Sequence, residues 1–163
     1  MRIWGVTGWK NTGKTGLTER LVAEFVGRGL RVSTIKHAHH SADVDHPGTD
    51  SFRHRGAGAS EVILATPARI ALMRELRGDD MPSLDDLIAM MQPVDLLLIE
   101  GYKSSPYPKV ETQRVEAGKP LLCLENETIK LVATDTPLDV PVPQIDLNDT
   151  SAIADFIAAE LGL

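Results

Sequence analysis

Gly8-Trp9-Lys10-Asn11-Thr12-Gly13-Lys14-Thr15 concentrates more potential chemistry than any other stretch of the chain. Its spacing is G-x-x-x-x-G-K-T, with an apolar run before it and a helical pattern after it. Glycine at both ends lets the backbone curl, so that successive amide N–H groups point inward. The curl opens a helix, whose N-terminal dipole end also favours negative charge. Holding a polyphosphate is the chemistry that such a cradle suits. Lys14 is expected to reach the β- and γ-phosphates, and the Thr15 hydroxyl to ligate magnesium. Gly8, Lys10, Asn11, Thr12, Gly13 and Gly16 complete the expected phosphate-binding set. Gly16, just inside the helix, costs roughly 1 kcal/mol relative to alanine. Three readings of that cost stand: close packing, a ligand beside the loop, or a glycine that is simply tolerated.

A second signal is Asp95-Leu96-Leu97-Leu98-Ile99-Glu100-Gly101. An apolar strand ending in an acid delivers a carboxylate to the magnesium of a phosphate loop. Glu100 closes the run on the side where open α/β sheets bind ligands, and Asp95 opens it at the far end. Glu100 is therefore the better metal candidate.

The third signal is a polar loop. Four of the five histidines (His37, His39, His40 and His46) fall within ten residues, interleaved with Asp43, Asp45 and Asp50. Three readings stand side by side: a solvated loop, a nickel or zinc store, and a phosphate-and-magnesium loop beside the first. In the third, Asp45 or Asp50 joins Thr15 and Glu100 around magnesium. Asp50 is alternatively the cap of a short helix carrying Arg53 and Arg55. Lys36, Arg53 and Arg55 supply local positive charge, and either arginine is a candidate for the γ-phosphate.

Short β-branched runs alternating with helical patterns must position these groups. That alternation predicts an α/β protein with a largely parallel sheet. Residues 2–7 read as a strand. Residues 14–27 read as a helix, with Leu17, Leu21, Val22, Phe25 and Val26 at helical spacing. Residues 30–36 read as a second strand. A short helix is expected over 51–57. The runs 61–65 and 69–74, joined by Thr66-Pro67-Ala68, predict an antiparallel hairpin that would make the sheet mixed. Ser83 and Asp86 form a capping pair for a helix ending near residue 91. Strands are expected at 96–99, 109–112, 121–124 and 129–133. After a proline-rich connector over 137–143, a helix capped by Thr150 or Ser151 runs to about residue 161.

The 163 residues suit a single domain. The net charge of −6 argues against sequence-independent nucleic-acid binding. No apolar run is long enough to span a membrane. The single cysteine, Cys123, lies in an apolar run and reads as a buried thiol. With no leader-like start, the expected location is the reducing cytoplasm.

Three stretches together resemble the molybdopterin-guanine dinucleotide biosynthesis protein B (MobB) family. They are GWKNTGKTGL, IKHAHHSADVDHPGTDSFRHRGAGA, and the strand ending Ile99-Glu100-Gly101-Tyr102-Lys103. The middle stretch is the distinguishing one, and the resemblance weakens after about residue 112. It implies a P-loop NTPase three-layer fold, similar to the dethiobiotin synthetase and nitrogenase-iron-protein group. It implies a GTP- and magnesium-binding adapter of molybdenum cofactor assembly, typically a homodimer, that hydrolyses GTP weakly at most. The partner it implies is a molybdopterin guanylyltransferase of the MobA type. Many relatives have a second threonine where this chain has Gly16. No N-K-x-D base-reading motif is present, and Asp135, after a strand, is a candidate for the guanine edge. Alternatives are a small-metabolite kinase, a GTPase metallochaperone, and a non-enzymatic docking module.

Overall fold

The computed structural model describes residues 1–38 and 43–163. Its internal contacts divide the chain into two compact units, Met1–His37 with Met91–Leu163, and Ala38–Met90.

The first unit is built on a six-stranded sheet in the order β2-β5-β1-β6-β7-β8. The strands are β1 (Arg2–Thr7), β2 (Val32–Lys36), β5 (Leu96–Glu100), β6 (Lys109–Gln113), β7 (Ile129–Thr134) and β8 (Gln144–Asp146). Every pairing in this sheet is parallel. All strand C-termini therefore meet at one edge, the edge that binds ligands in sheets of this kind. Each residue of β5 is buried, as its unbroken apolar run requires.

Helices α1 (Lys14–Gly27) and α4 (Thr150–Leu161) pack on the sheet and on each other. α1 buries Leu17, Leu21 and Phe25, four residues apart on one face. α4 answers with Ile153, Ala154 and Ile157. Together they enclose Trp4, Val6, Leu96 and Leu98. Burying each large side chain contributes about 1.5–3 kcal/mol. Trp4 meets Phe156 edge-on, with ring centroids 6.3 Å apart. Arg20 ties the helices together by donating to Thr150 Oγ1 at 2.8 Å and to the Leu147 carbonyl at 2.6 Å.

The second unit holds helix α2 (Asp50–Gly56), an antiparallel pair β3 (Glu61–Ala65) and β4 (Ile70–Arg74), and helix α3 (Leu84–Ala89). α3 has the capping box expected from its sequence, with Ser83 and Asp86 serving each other's amides.

The α/β class and the largely parallel central sheet are as expected, and four details differ. The hairpin forms its own two-stranded sheet, so the six-stranded sheet is not mixed. Residues 121–124 are not a strand. Leu122–Leu124 form a 3₁₀ turn, because the Glu111 carboxylate accepts the amides of Leu122 and Cys123 at 2.9 and 2.8 Å. β8, three residues just after the prolines, has no counterpart in the sequence reading. The cap of α4 is Asp149, which accepts the Ala152 amide at 3.0 Å, and not Thr150 or Ser151. Cys123 is buried, and desolvation pushes its thiol up to about 11.

Candidate functional site

The phosphate loop runs from the end of β1 into α1. Gly8 adopts φ +141° and Gly13 φ +98°. A β-carbon at Gly8 would lie 2.6 Å from both the carbonyl and hydroxyl oxygens of Thr112, so only glycine fits there. Thr12 is fully buried, and its hydroxyl sits 2.8 Å from the Thr112 hydroxyl and donates to the Trp9 carbonyl. That hydroxyl therefore pins the loop to β6. Gly13 caps α1 without a side chain, which leaves the first-turn amides of the helix to the cleft.

Lys14 Nζ donates to the Trp9 carbonyl at 2.6 Å, across its own loop. Burial lowers its pKa below the ordinary lysine value; Lys103 and Lys36 add to that and Glu100 opposes it. An anion beside Lys14 would relieve this positive crowding.

On the neighbouring strands, Lys36 and Glu100 are register partners at the ends of β2 and β5. Thr15 Oγ1 donates to Glu100 Oε1 at 2.9 Å. The expected metal pair, Thr15 and Glu100, is thus in contact. Two oxygens at that separation suit adjacent positions of an octahedral magnesium shell, whose oxygens stand about 2.0–2.1 Å from the ion and so roughly 2.9 Å apart. A hydroxyl with a carboxylate is also the oxygen donor set that magnesium prefers, so the residues present fit the ion.

These groups border a cleft of about 520 Å³ lined by Lys10, Asn11, the turn from Gly13 to Gly16, Glu100 and Arg114. Arg114 follows β6 directly and lies 3.8 Å from Asp135, whose carboxylate also accepts the Val115 amide at 3.1 Å. Lys103 sits 3.5 Å from the Trp9 ring centroid. Neither Arg114 nor Lys103 is among the site residues expected from the sequence, although Lys103 closes one of the three resembling stretches. Their signal is position: both closely follow the C-terminal end of a strand in a parallel sheet. At Gly16 a β-carbon would meet only Arg20 Nη1 among the described residues, at 3.6 Å. The described residues therefore do not supply the close packing suggested for Gly16.

His37 lies at the edge of the same unit and stacks on Tyr102 with ring centroids 4.7 Å apart. Gly101, at φ +97°, makes room: a β-carbon there would meet His37 Cβ at 3.0 Å.

Asp45, Asp50 and Arg53 belong to the second unit. Asp45 Oδ1 gathers the His46 amide and the hydroxyls of Thr49 and Ser51, each at 3.0 Å. Its other oxygen accepts from Arg55 Nε at 3.2 Å. Burial would raise the Asp45 pKa, but these donors outweigh it and hold the carboxyl below its ordinary value. Arg55 also binds Asp43 with both oxygens at 2.9 Å and Glu75 at 2.6 Å. The α2 cap is Thr49, which accepts the Phe52 amide, and not Asp50. Asp50 sits in the first turn, and its carboxylate makes no hydrogen bond or ion pair among the described residues. His39 and His40, on which the transition-metal reading leaned, lie outside the described residues.

A parallel sheet with a glycine-closed amide cradle after its central strand defines a P-loop nucleotide-binding fold of the α/β class. The family model for molybdopterin guanine dinucleotide synthesis protein B matches residues 3–135. The chain belongs to that family, MobB. It is 43% identical over 157 residues to the molybdopterin-guanine dinucleotide biosynthesis adapter protein of Haemophilus influenzae, spanning 95% of this chain and 86% of that one. The Escherichia coli protein of the same description is 39% identical, over 91% of this chain and 87% of its own length. The crystal structure of a MobB homologue from Bacillus stearothermophilus superposes with a TM-score of 0.77 at 29% identity, covering 99% of both chains.

Proposed function

We propose that this protein is a GTP- and magnesium-binding adapter in molybdopterin-guanine dinucleotide biosynthesis. One observation carries the reading: in a chain of the MobB family, Lys14, Thr15 and Glu100 converge on one cleft beside the glycine-closed loop. Gly8 to Gly16 would hold the phosphates, with Lys14 on the β- and γ-phosphates. Thr15 and Glu100 would hold magnesium, which when bound neutralises phosphate charge. His37, in the same unit, completes the candidate set.

Guanine is favoured because a guanine dinucleotide is named as the product of the relatives' pathway. Asp135 borders a second cleft of about 360 Å³ that also contains Asp146. Carboxylates there would accept from guanine N1–H and N2–H, where adenine offers an acceptor. Hydrolysis would be slow, since Arg55 is tied to three acids. The partner would be a molybdopterin guanylyltransferase of the MobA type. Homodimerisation is supported by the hairpin, which exposes Ile63, Leu64, Ile70 and Leu72. A cytoplasmic location accords with the buried thiol. No helix among the described residues is long and apolar enough to cross a membrane.

The test is calorimetric titration with GTP and with ATP, each with magnesium, on wild type and Lys14→Ala. The expected result is GTP preference in wild type and at least about tenfold weaker binding in the variant, since hydrogen bonds to charged groups are worth about 1.5–3 kcal/mol. ATP preference with turnover on a small acceptor would indicate a kinase instead. Co-purification with the guanylyltransferase tests the partner.

A further inference from the structure

The Lys36 ammonium lies 2.6 Å from Glu100 Oε1 and 3.0 Å from Thr15 Oγ1, and those two oxygens are 2.9 Å apart. The three atoms form a nearly equilateral triangle. Its two oxygens are those read above as the metal pair. Register builds the arrangement: Lys36 and Glu100 end adjacent parallel strands, and Thr15 comes from the first turn of α1. The partners differ in freedom. The Glu100 side chain is 9% exposed and that of Lys36 52%. The carboxylate is fixed, and the lysine stem has room to swing outward.

The surrounding charge is one-sided. Glu100 faces Lys36 directly, and Lys14 feels both Lys36 and Lys103. Among the described residues of this unit, a dication arriving alone at the pair would meet the Glu100 carboxylate with the ammonium groups of Lys36 and Lys14 beside it. A dication arriving with a triphosphate brings the missing negative charge. The phosphates also give Lys36 a new partner on the cleft side.

We propose that Lys36 is a built-in counter-ion that competes with the divalent cation for the Thr15–Glu100 pair, so that metal enters together with nucleotide. The inference rests on the nucleotide reading above for its second half only. Competition for the pair is a property of this chain's own three side chains. Lys36 thereby couples two binding events. It weakens metal binding to the protein alone, and it substitutes for the metal when nucleotide comes without it.

The test uses the whole chain and Mn²⁺, followed by electron paramagnetic resonance without nucleotide. Lys36→Met should bind Mn²⁺ at least about tenfold more tightly than wild type, because the Glu100 charge is no longer neutralised. Lys36→Arg, which keeps the charge, should bind like wild type. Lys36→Gln gives the same reading as Lys36→Met should the latter aggregate. In GTP titrations, the ratio of affinities with magnesium and with EDTA should rise at least about tenfold in Lys36→Met. Equal Mn²⁺ affinity in Lys36→Met and wild type would overturn the proposal. So would a rise in Lys36→Arg that matched Lys36→Met. A wild type that bound no nucleotide would defeat the functional reading, while the Mn²⁺ titration would still decide this one.

Discussion

In the first unit, Lys14 donates to a carbonyl of its own loop, and Thr15, Glu100 and Lys36 hold one another at the rim of a cleft. In the second, Arg55 meets Asp43, Asp45 and Glu75 with a side chain only 14% exposed, and Asp45 closes onto the cap of α2. Both regions are dense in charge. In the first, each partner is one that an incoming phosphate or cation can replace, because the contacts border open space. In the second, four donors converge on one carboxylate whose side chain is only 8% exposed, three of them on a single oxygen. Charge density alone does not distinguish a binding site from a structural clasp. What distinguishes them is whether the partners can be exchanged.

The sharpest contrast comes from glycine. Gly8→Ala should cost about 3 kcal/mol or more and abolish nucleotide binding. Its backbone lies at φ +141°, and the new methyl would sit 2.6 Å from two oxygens of Thr112. Gly48, in the second unit, also has positive φ, at +93°, but none of the described residues lies within 4 Å of a β-carbon there. Gly48→Ala should cost only the backbone term, about 1–2 kcal/mol. Denaturant unfolding of both variants measures the difference. Equal costs would mean that the Thr112 contact does not constrain the loop.

The clasp is the next to break. Arg55→Met would leave three acids facing one another around α2. Hydrogen exchange should accelerate across α2 and the residues around Asp45, with the β1–α1 amides unchanged. Acid should mimic the variant. Hydrogen bonds from Arg55 and the Asp45 amide hold the Asp43 carboxyl below its ordinary 3.8, and Asp45 is likewise lowered. Stability from a depressed carboxyl is fully present above the unfolded value and is lost as pH falls through the folded one. Loss of α2 protection should therefore begin below about pH 4. Protection that survives well below that range would show that the acids do not hold the loop.

How far these two regions could be read in advance follows from the sequence distance over which their contacts form. The phosphate loop is eight consecutive residues whose spacing is its geometry, and Glu100 ends an unbroken apolar strand. Both are local patterns. The triangle of Thr15, Lys36 and Glu100 joins residues 85 and 64 positions apart. It depends on the β2–β5 register, which no local pattern fixes. Arg114 shows in the sequence only as a residue just past a strand, and its place at the cleft depends on β6 lying beside β1. Residues 121–124 mislead because an apolar run matches a strand until a distant carboxylate, Glu111, takes its amides. β8 is too short to show a period beside prolines. Asp45 and Asp50 are equivalent by composition, and only the contacts around Thr49 and Arg55 tell them apart.

A buried cation without a carboxylate partner extends the comparison. Lys109 is fully buried in β6, donates to the Ser105 carbonyl at 2.7 Å and to Thr128 Oγ1, and is lowered to about 8 by desolvation. Gly5 makes the room, since a β-carbon there would lie 2.7 Å from Lys109 Cβ. In the unfolded chain this lysine returns to about 10.5. Between those values the unfolded state binds more protons, so stability should rise from about pH 8 to 10.5 and level off on either side. Lys109→Met should flatten that slope. A wild-type profile already flat over the window would mean that the ammonium is not desolvated.

The smallest effect tests the phosphate loop from the opposite direction. Gly16 lies within α1, where glycine costs up to about 1 kcal/mol relative to alanine. Among the described residues, an added methyl would meet only Arg20 Nη1 at 3.6 Å, an ordinary contact with the end of a flexible side chain. Those residues therefore supply no packing reason for glycine. Gly16→Ala should stabilise the fold by about 0.5–1 kcal/mol, read as a rise in melting temperature without nucleotide. Affinity for magnesium and GTP then decides what the glycine is for. Unchanged affinity would make it a tolerated weakness. Weaker binding in a more stable protein would mean that the ligand needs the space, and that this loop gives up helix stability to keep its cradle open.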